Sequence, residues 1–164
     1  MRTSARLPMR RLAPLLALLV VAGCDTLSLN DVRGAAVFEL VLEDVPARQP
    51  DGDDWDGGIT SPDPDVYLVL ETQGGEVLAE TAPLANVSPR DLPVLYPIPE
   101  VRIGLDEPLF IVAYDDDGLL EDELVGEIGP FRARDFLTSE LRESFRVVSD
   151  REPLEVRLRI AWTR

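Results

Sequence analysis

The chain of 164 residues has no histidine, one cysteine and a formal net charge of −15, from 31 acidic residues against 16 basic ones. All of the basic residues are arginine, because lysine is absent as well. Each shortage removes a class of function. A strongly acidic surface repels phosphate, which excludes nucleic acid as a partner. Without histidine there is no Ser-His or Cys-His pair for nucleophilic catalysis and no Cys/His zinc site. One cysteine cannot form a disulfide within the chain. What remains is carboxylate chemistry, and carboxylates suit hard cations such as calcium. The length suits one ordinary domain.

The lone cysteine closes a leader. Arg2, Arg6, Arg10 and Arg11 precede an apolar run at 12–22, which is too short to span a bilayer and fits the hydrophobic region of a secretory signal. It ends Val21-Ala22-Gly23-Cys24, small residues before the cysteine. This stretch resembles the lipobox of bacterial lipoproteins. The resemblance implies cleavage before Cys24 and a diacylglyceryl group on it, anchoring the mature chain on the exported side of a bacterial cell membrane or envelope. The division expected is a signal peptide at 1–23, lipidated Cys24 with a short polar tether through 33, and a folded domain over 34–162. Loss of 1–23 removes four arginines and no acid, so the charge of the mature chain moves from −15 to −19.

Beyond the leader the pattern is that of short strands. Phe38, Leu40 and Leu42 alternate with Glu39 and Glu43, and Val66, Leu68 and Leu70 alternate in the same way. The run 109–114 is apolar on both faces, as in a central sandwich strand. In the last strand Leu154, Val156, Leu158, Ile160 and Trp162 face one way, and Glu155, Arg157 and Arg159 the other. Further candidate strands lie at 76–81, at 92–96 or 100–104, at 123–128 and at 143–148, with a short helical turn at 133–141. Fourteen prolines and eleven glycines punctuate the chain and disfavour long helices. The expectation is an all-β, eight-stranded antiparallel β-sandwich.

Two acidic loops stand out from this frame. The first holds Asp51, Asp53, Asp54, Asp56, Asp63 and Asp65; the second holds Asp115, Asp116, Asp117, Glu121, Asp122 and Glu123. Solvated loops are one account of them, and a divalent-ion site where the loops meet is the other. The second loop is not an EF-hand: with Gly118 at position 6, Ala113 falls at position 1 and Leu124 at position 12, where that motif needs acids.

At these residues the chain resembles the C2 domains over about 34–162. Asp56-Gly57-Gly58 leads to Pro62-Asp63-Pro64 and the strand Val66-Tyr67-Leu68, like that family's first ion-binding loop. Tyr114-Asp115-Asp116-Asp117, then Glu123-Leu124-Val125-Gly126, is similar to its other one. The strand order looks like the permuted, type II topology. The resemblance implies Asp56, Asp63, Asp115, Asp117 and Glu123 as calcium ligands, with Asp65 and Asp122 as competitors. The sequence departs from the family at three points: six residues separate Asp56 from Asp63 where five are usual, Glu123 stands where an Asp is usual, and Asp65 occupies a position that is often aromatic.

Such domains dock on anionic lipid through bound calcium and apolar loop tips, for which Trp55, Leu119 and Leu120 are candidates; burial of each against its own loop is the alternative. The leading expectation is therefore a membrane-anchored lipoprotein that binds calcium and, through it, a membrane surface or an envelope protein. The alternative is a metal-independent structural or interaction lipoprotein on a degenerate C2-like fold. An enzyme is not expected, since carboxylates in solvated loops lack the burial that raises a general acid's pKa.

Overall fold

The computed structural model describes residues 27–55, 63–118 and 121–164. The leader with Cys24, and loop residues Asp56, Leu119 and Leu120, lie outside the described residues. The eight expected strands are present: β1 (Gly34–Asp44), β2 (Val66–Thr72), β3 (Val77–Glu80), β4 (Val94–Gly104), β5 (Leu109–Asp115), β6 (Glu123–Phe131), β7 (Ser144–Val148) and β8 (Glu155–Thr163). They form two antiparallel four-stranded sheets, ordered β4-β1-β8-β7 and β3-β2-β5-β6. Among the described residues no helix is long and apolar enough to cross a membrane.

Period-two alternation builds the core. Leu40, Leu42, Leu158 and Ile160 from one sheet meet Leu68, Leu70, Leu109 and Ile111 from the other, each 1% exposed or less. Burial of each such side chain contributes on the order of 1.5–3 kcal/mol. On β8 the expected inward set is observed, with Leu154, Val156, Leu158 and Ile160 buried and Trp162 packed at the margin of the core.

On β1 the alternation expected of Phe38, Leu40 and Leu42 breaks. A bulge between Val37 and Glu39 appears in the pairing with both neighbours, so Val37, Leu40 and Leu42 point inward. Phe38 turns outward beneath the Arg159 guanidinium, 5.6 Å from its ring centre.

Two further expectations are adjusted. The alternatives at 92–96 and 100–104 are both parts of β4, a sheet-edge strand that tolerates Pro97 and Pro99. The helical turn expected at 133–141 is only a 3₁₀ turn at Ala133–Phe136, because Leu137 is already extended. Phe136 instead stacks on Phe145, their ring centres 4.1 Å apart.

The outer face of the β1–β8–β7 layer carries an ion-pair ladder. Glu43 pairs with Arg157 at 2.6 Å and with Arg146 at 2.8 Å, Arg146 reaches Glu155 at 2.9 Å, and Arg159 reaches Glu39 at 3.1 Å. Ahead of β1, the described part of the polar tether is folded onto the sandwich. A 3₁₀ turn at Leu29–Asp31 precedes Val32, which is 2% exposed, and Leu27 packs against the core.

Candidate functional site

The site arises from strand register. In the β2–β5 pair Val66 lies opposite Asp115, and in the β5–β6 pair Asp115 lies opposite Glu123. Three chain segments (63–65, 115–117 and 121–123) therefore meet at one end of the sandwich. Hydrogen bonds fasten the first two: Asp65 N–H donates to Asp115 Oδ1 at 2.6 Å, and Asp116 N–H to Asp65 O at 3.0 Å. Asp115 is fully buried, an unusual place for a carboxylate.

The first loop reaches the same end. Gln49 Nε2 donates to Glu123 Oε2 at 2.5 Å and to the Trp55 carbonyl at 3.3 Å, tying the two acidic loops together. Trp55 itself is 4% exposed, and its indole N–H donates to Pro46 O at 3.1 Å. The expectation of a membrane-contacting tip at Trp55 is thereby corrected. The ring is an internal post of its loop, held there because a buried indole N–H requires an acceptor and finds one.

A third loop, 84–91, joins them. Asp65 Oδ1 accepts the Asn86 N–H at 2.7 Å and Val87 N–H donates to Pro64 O at 2.8 Å, while Asn86 adopts a left-handed conformation at φ 57. That conformation suits asparagine better than most residues. The second loop is also braced from β2. Tyr67 stacks on Tyr114 with ring centres 5.3 Å apart, and its hydroxyl donates to Asp122 Oδ2 at 2.6 Å. Burial, and then Asp122, push the Tyr67 hydroxyl well above the ordinary tyrosine pKa. Asp116 Oδ1 accepts the Gly118 N–H at 3.0 Å, which turns the chain at the tip.

The residues implied by the resemblance thus fall into groups. Asp115 is buried and structural as well as acidic. Asp63 and Asp117 are half-buried beside it in the chain. Glu123 and Asp122 are exposed and hydrogen-bonded to Gln49 and Tyr67, while Asp65 is tied to Asn86. Asp56, Leu119, Leu120 and the lipidation candidate Cys24 lie outside the described residues. Among the described residues, no three acidic side chains converge closely enough to hold a metal ion by themselves. The donors are all oxygen, which is the chemistry that calcium requires.

Sequence reading missed Gln49, Tyr67 and Asn86. Tyr67, an aromatic on the outward face of a strand entering an acidic loop, carried a faint signal; Gln49 carried none, since its partner Glu123 is 74 residues away.

No family model matches the chain, and no curated protein matches it. Solved structures do. Human GIVD cytosolic phospholipase A2, in complex with a fluorophosphonate inhibitor and terbium chloride, is similar at 17% identity and a TM-score of 0.51 over 81% of this chain. The chain spans only 18% of that enzyme's length. BON1-C2B is similar at 12% identity and a TM-score of 0.50, with 82% of this chain and 94% of the other covered. At these identities the likeness shows the fold alone, and the fold is a C2-like β-sandwich.

Proposed function

We propose that the chain is a bacterial envelope protein, anchored by lipid on Cys24, whose C2-like sandwich binds calcium through its acidic loops and, through the ion, an anionic membrane surface or a protein partner. The observation that carries this reading is the register that sets Val66 opposite Asp115, bringing the chain segments of Asp63, Asp115 and Asp117 to one end, with Asp115 held by the Asp65 N–H at 2.6 Å. The terbium chloride complex of the similar phospholipase structure supports it, since lanthanides, like calcium, take hard oxygen ligands. Asp63, Asp115 and Asp117, with Asp56, are the ligands that the resemblance implies, and the three described ones would have to draw together to hold the ion. Glu123, Asp122 and Asp65 each accept one hydrogen bond, from Gln49, Tyr67 and Asn86, and would join through a remaining lone pair or by giving that bond up. A bound calcium would cancel part of the local charge and offer open coordination positions to phosphate or carboxylate oxygens. We assign the chain no catalysis.

A second reading, a metal-independent interaction lipoprotein, is favoured by those same three hydrogen bonds, which brace the loops without any ion. Terbium luminescence separates the two readings, because Tyr67 and Tyr114 stand beside the loop and can sensitise a bound lanthanide. The calcium reading expects saturable emission that calcium displaces and that Asp117→Asn abolishes. Emission that is absent, or unchanged in Asp117→Asn, leaves the metal-independent reading. Asp115→Ala is the poorer variant, because removing a buried carboxylate also strands the Asp65 N–H.

A further inference from the structure

The two ends of the sandwich differ in charge, and the first described residue, Leu27, packs beside one of them. Strand β1 is 11 residues long, about 36 Å at roughly 3.3 Å per residue. Its first residue, Gly34, pairs with Gly104 at the end of β4 and with Thr163 at the end of β8. Its last residue leads into the first acidic loop. The end where β1 begins is therefore remote from the acidic end.

The segment before β1 is docked. Arg33 N–H donates to Thr163 O at 2.8 Å, Asp31 accepts the Ser28 hydroxyl at 2.6 Å, and Val32 is buried. Leu27 lines a surface hollow with Leu141 and Trp162. Cys24 precedes Leu27 by only three residues, a span of at most about 10 Å of extended chain. Charge agrees with this placement. Exposed Arg33, Arg132, Arg134, Arg142 and Arg164 stand at the near end among Asp31, Asp106, Asp135, Glu140 and Glu143, with Glu107 half-buried, a nearly balanced mixture, and Leu29 is 41% exposed beside them. Acid predominates at the far end. An anionic headgroup layer repels that end and tolerates the other, and the repulsion is screened within about 10 Å.

We infer that the near end rests on the headgroup layer of the membrane holding the Cys24 lipid, so that the acidic end is turned away from that membrane and faces whatever lies opposite. This rests on the lipidation of Cys24 proposed above, and it adds that calcium bound at the far end cannot dock the domain onto its own anchoring bilayer.

The test uses the full chain, produced with its lipid and reconstituted in vesicles of phosphatidylcholine and phosphatidylglycerol. A dye is attached through Ser139→Cys at the near end or Asp150→Cys at the far end, both positions being exposed. Quenching by a nitroxide on the lipid headgroup should be several-fold stronger for the Ser139 position, in calcium and in chelator alike. Equal or stronger quenching at the Asp150 position, in either buffer, overturns the orientation. Mass spectrometry keeps the premise separate: an acylated Cys24 with the reversed order sinks the orientation alone, whereas a Cys24 without acyl mass sinks both.

Discussion

The end of the sandwich where β1 begins and the end where it finishes are built from the same strands, yet they balance charge in opposite ways. At the first, acids and arginines alternate, as where Arg134 pairs with Asp106. At the second, Asp63, Asp65, Asp115, Asp116, Asp117 and Glu123 are brought together by strand register and held by main-chain hydrogen bonds. Two carboxylates about 5 Å apart repel by roughly 3 kcal/mol at an effective dielectric of 20. Stability alone gives no reason to concentrate acid at one end of a fold. The near end balances its acids with arginines, whereas the far end leaves an excess of acid, which is what the proposed cation site would draw on.

The contrast breaks most severely if the far end loses its internal post. Trp55→Ala removes a buried ring and strands Pro46 O, and should cost about 3–5 kcal/mol in urea unfolding. A cost below about 1 kcal/mol would mean that the first loop is not braced from within.

Asp65→Ala sharpens the comparison by separating bracing from ion binding. Loss of the hydrogen bond to Asn86 should cost about 1–2 kcal/mol in chelator, partly offset by relief of repulsion. The gain in stability on adding calcium should survive, because the proposed ligands are Asp56, Asp63, Asp115 and Asp117; its loss would make Asp65 a ligand as well.

The ladder between the ends gives the pH dependence. Burial favours the protonated form of Glu43, but Arg157, then a hydrogen bond with Glu155 and then Arg146 outweigh it and hold its native pKa below an ordinary glutamate's 4.5. The unfolded chain therefore takes up the proton first as the pH falls. Glu43 contributes stability above pH 4.5 that is lost as the pH drops toward its native value. Glu155 runs the other way: burial and Glu43 raise its pKa, so its contribution is present at low pH and fades as the pH rises. Glu43→Gln should flatten the acid limb of stability measured by denaturant melts between pH 3 and 5, roughly the ordinary carboxylate range. An unchanged acid limb would show that the ladder does not set it. The smallest effect expected is at the near end, where Arg134→Ala, breaking a fully exposed pair, should leave the melting temperature within measurement scatter.

Much of the fold was legible. Alternation on β8 and the doubly apolar run of β5 specify a sandwich directly, because burial on a pleated strand has a period of two. The bulge at Phe38 was not legible, since nothing in the local pattern announces an extra residue there. The acidic runs and their flanking strands did mark the end of the sandwich where the two acidic loops meet. What the sequence could not supply was the part played by each acid: burial of Asp115, the diversion of Glu123 to Gln49, of Asp122 to Tyr67 and of Asp65 to Asn86 all depend on partners distant in the chain. The choice between tip and internal post at Trp55 was not legible either, because an aromatic in a loop looks the same in sequence whether it points out or in.

The most direct test of the far end as a calcium site is a thermal melt of residues 25–164 in calcium, in magnesium and in chelator. Calcium at 100 times its dissociation constant should stabilise by about 2.7 kcal/mol. For a domain of this size that is a rise of very roughly 5–10 °C, seen with calcium but not magnesium and lost in Asp117→Asn. Identical melts in the three buffers would contradict the account and leave a sandwich whose acidic end is braced by hydrogen bonds alone.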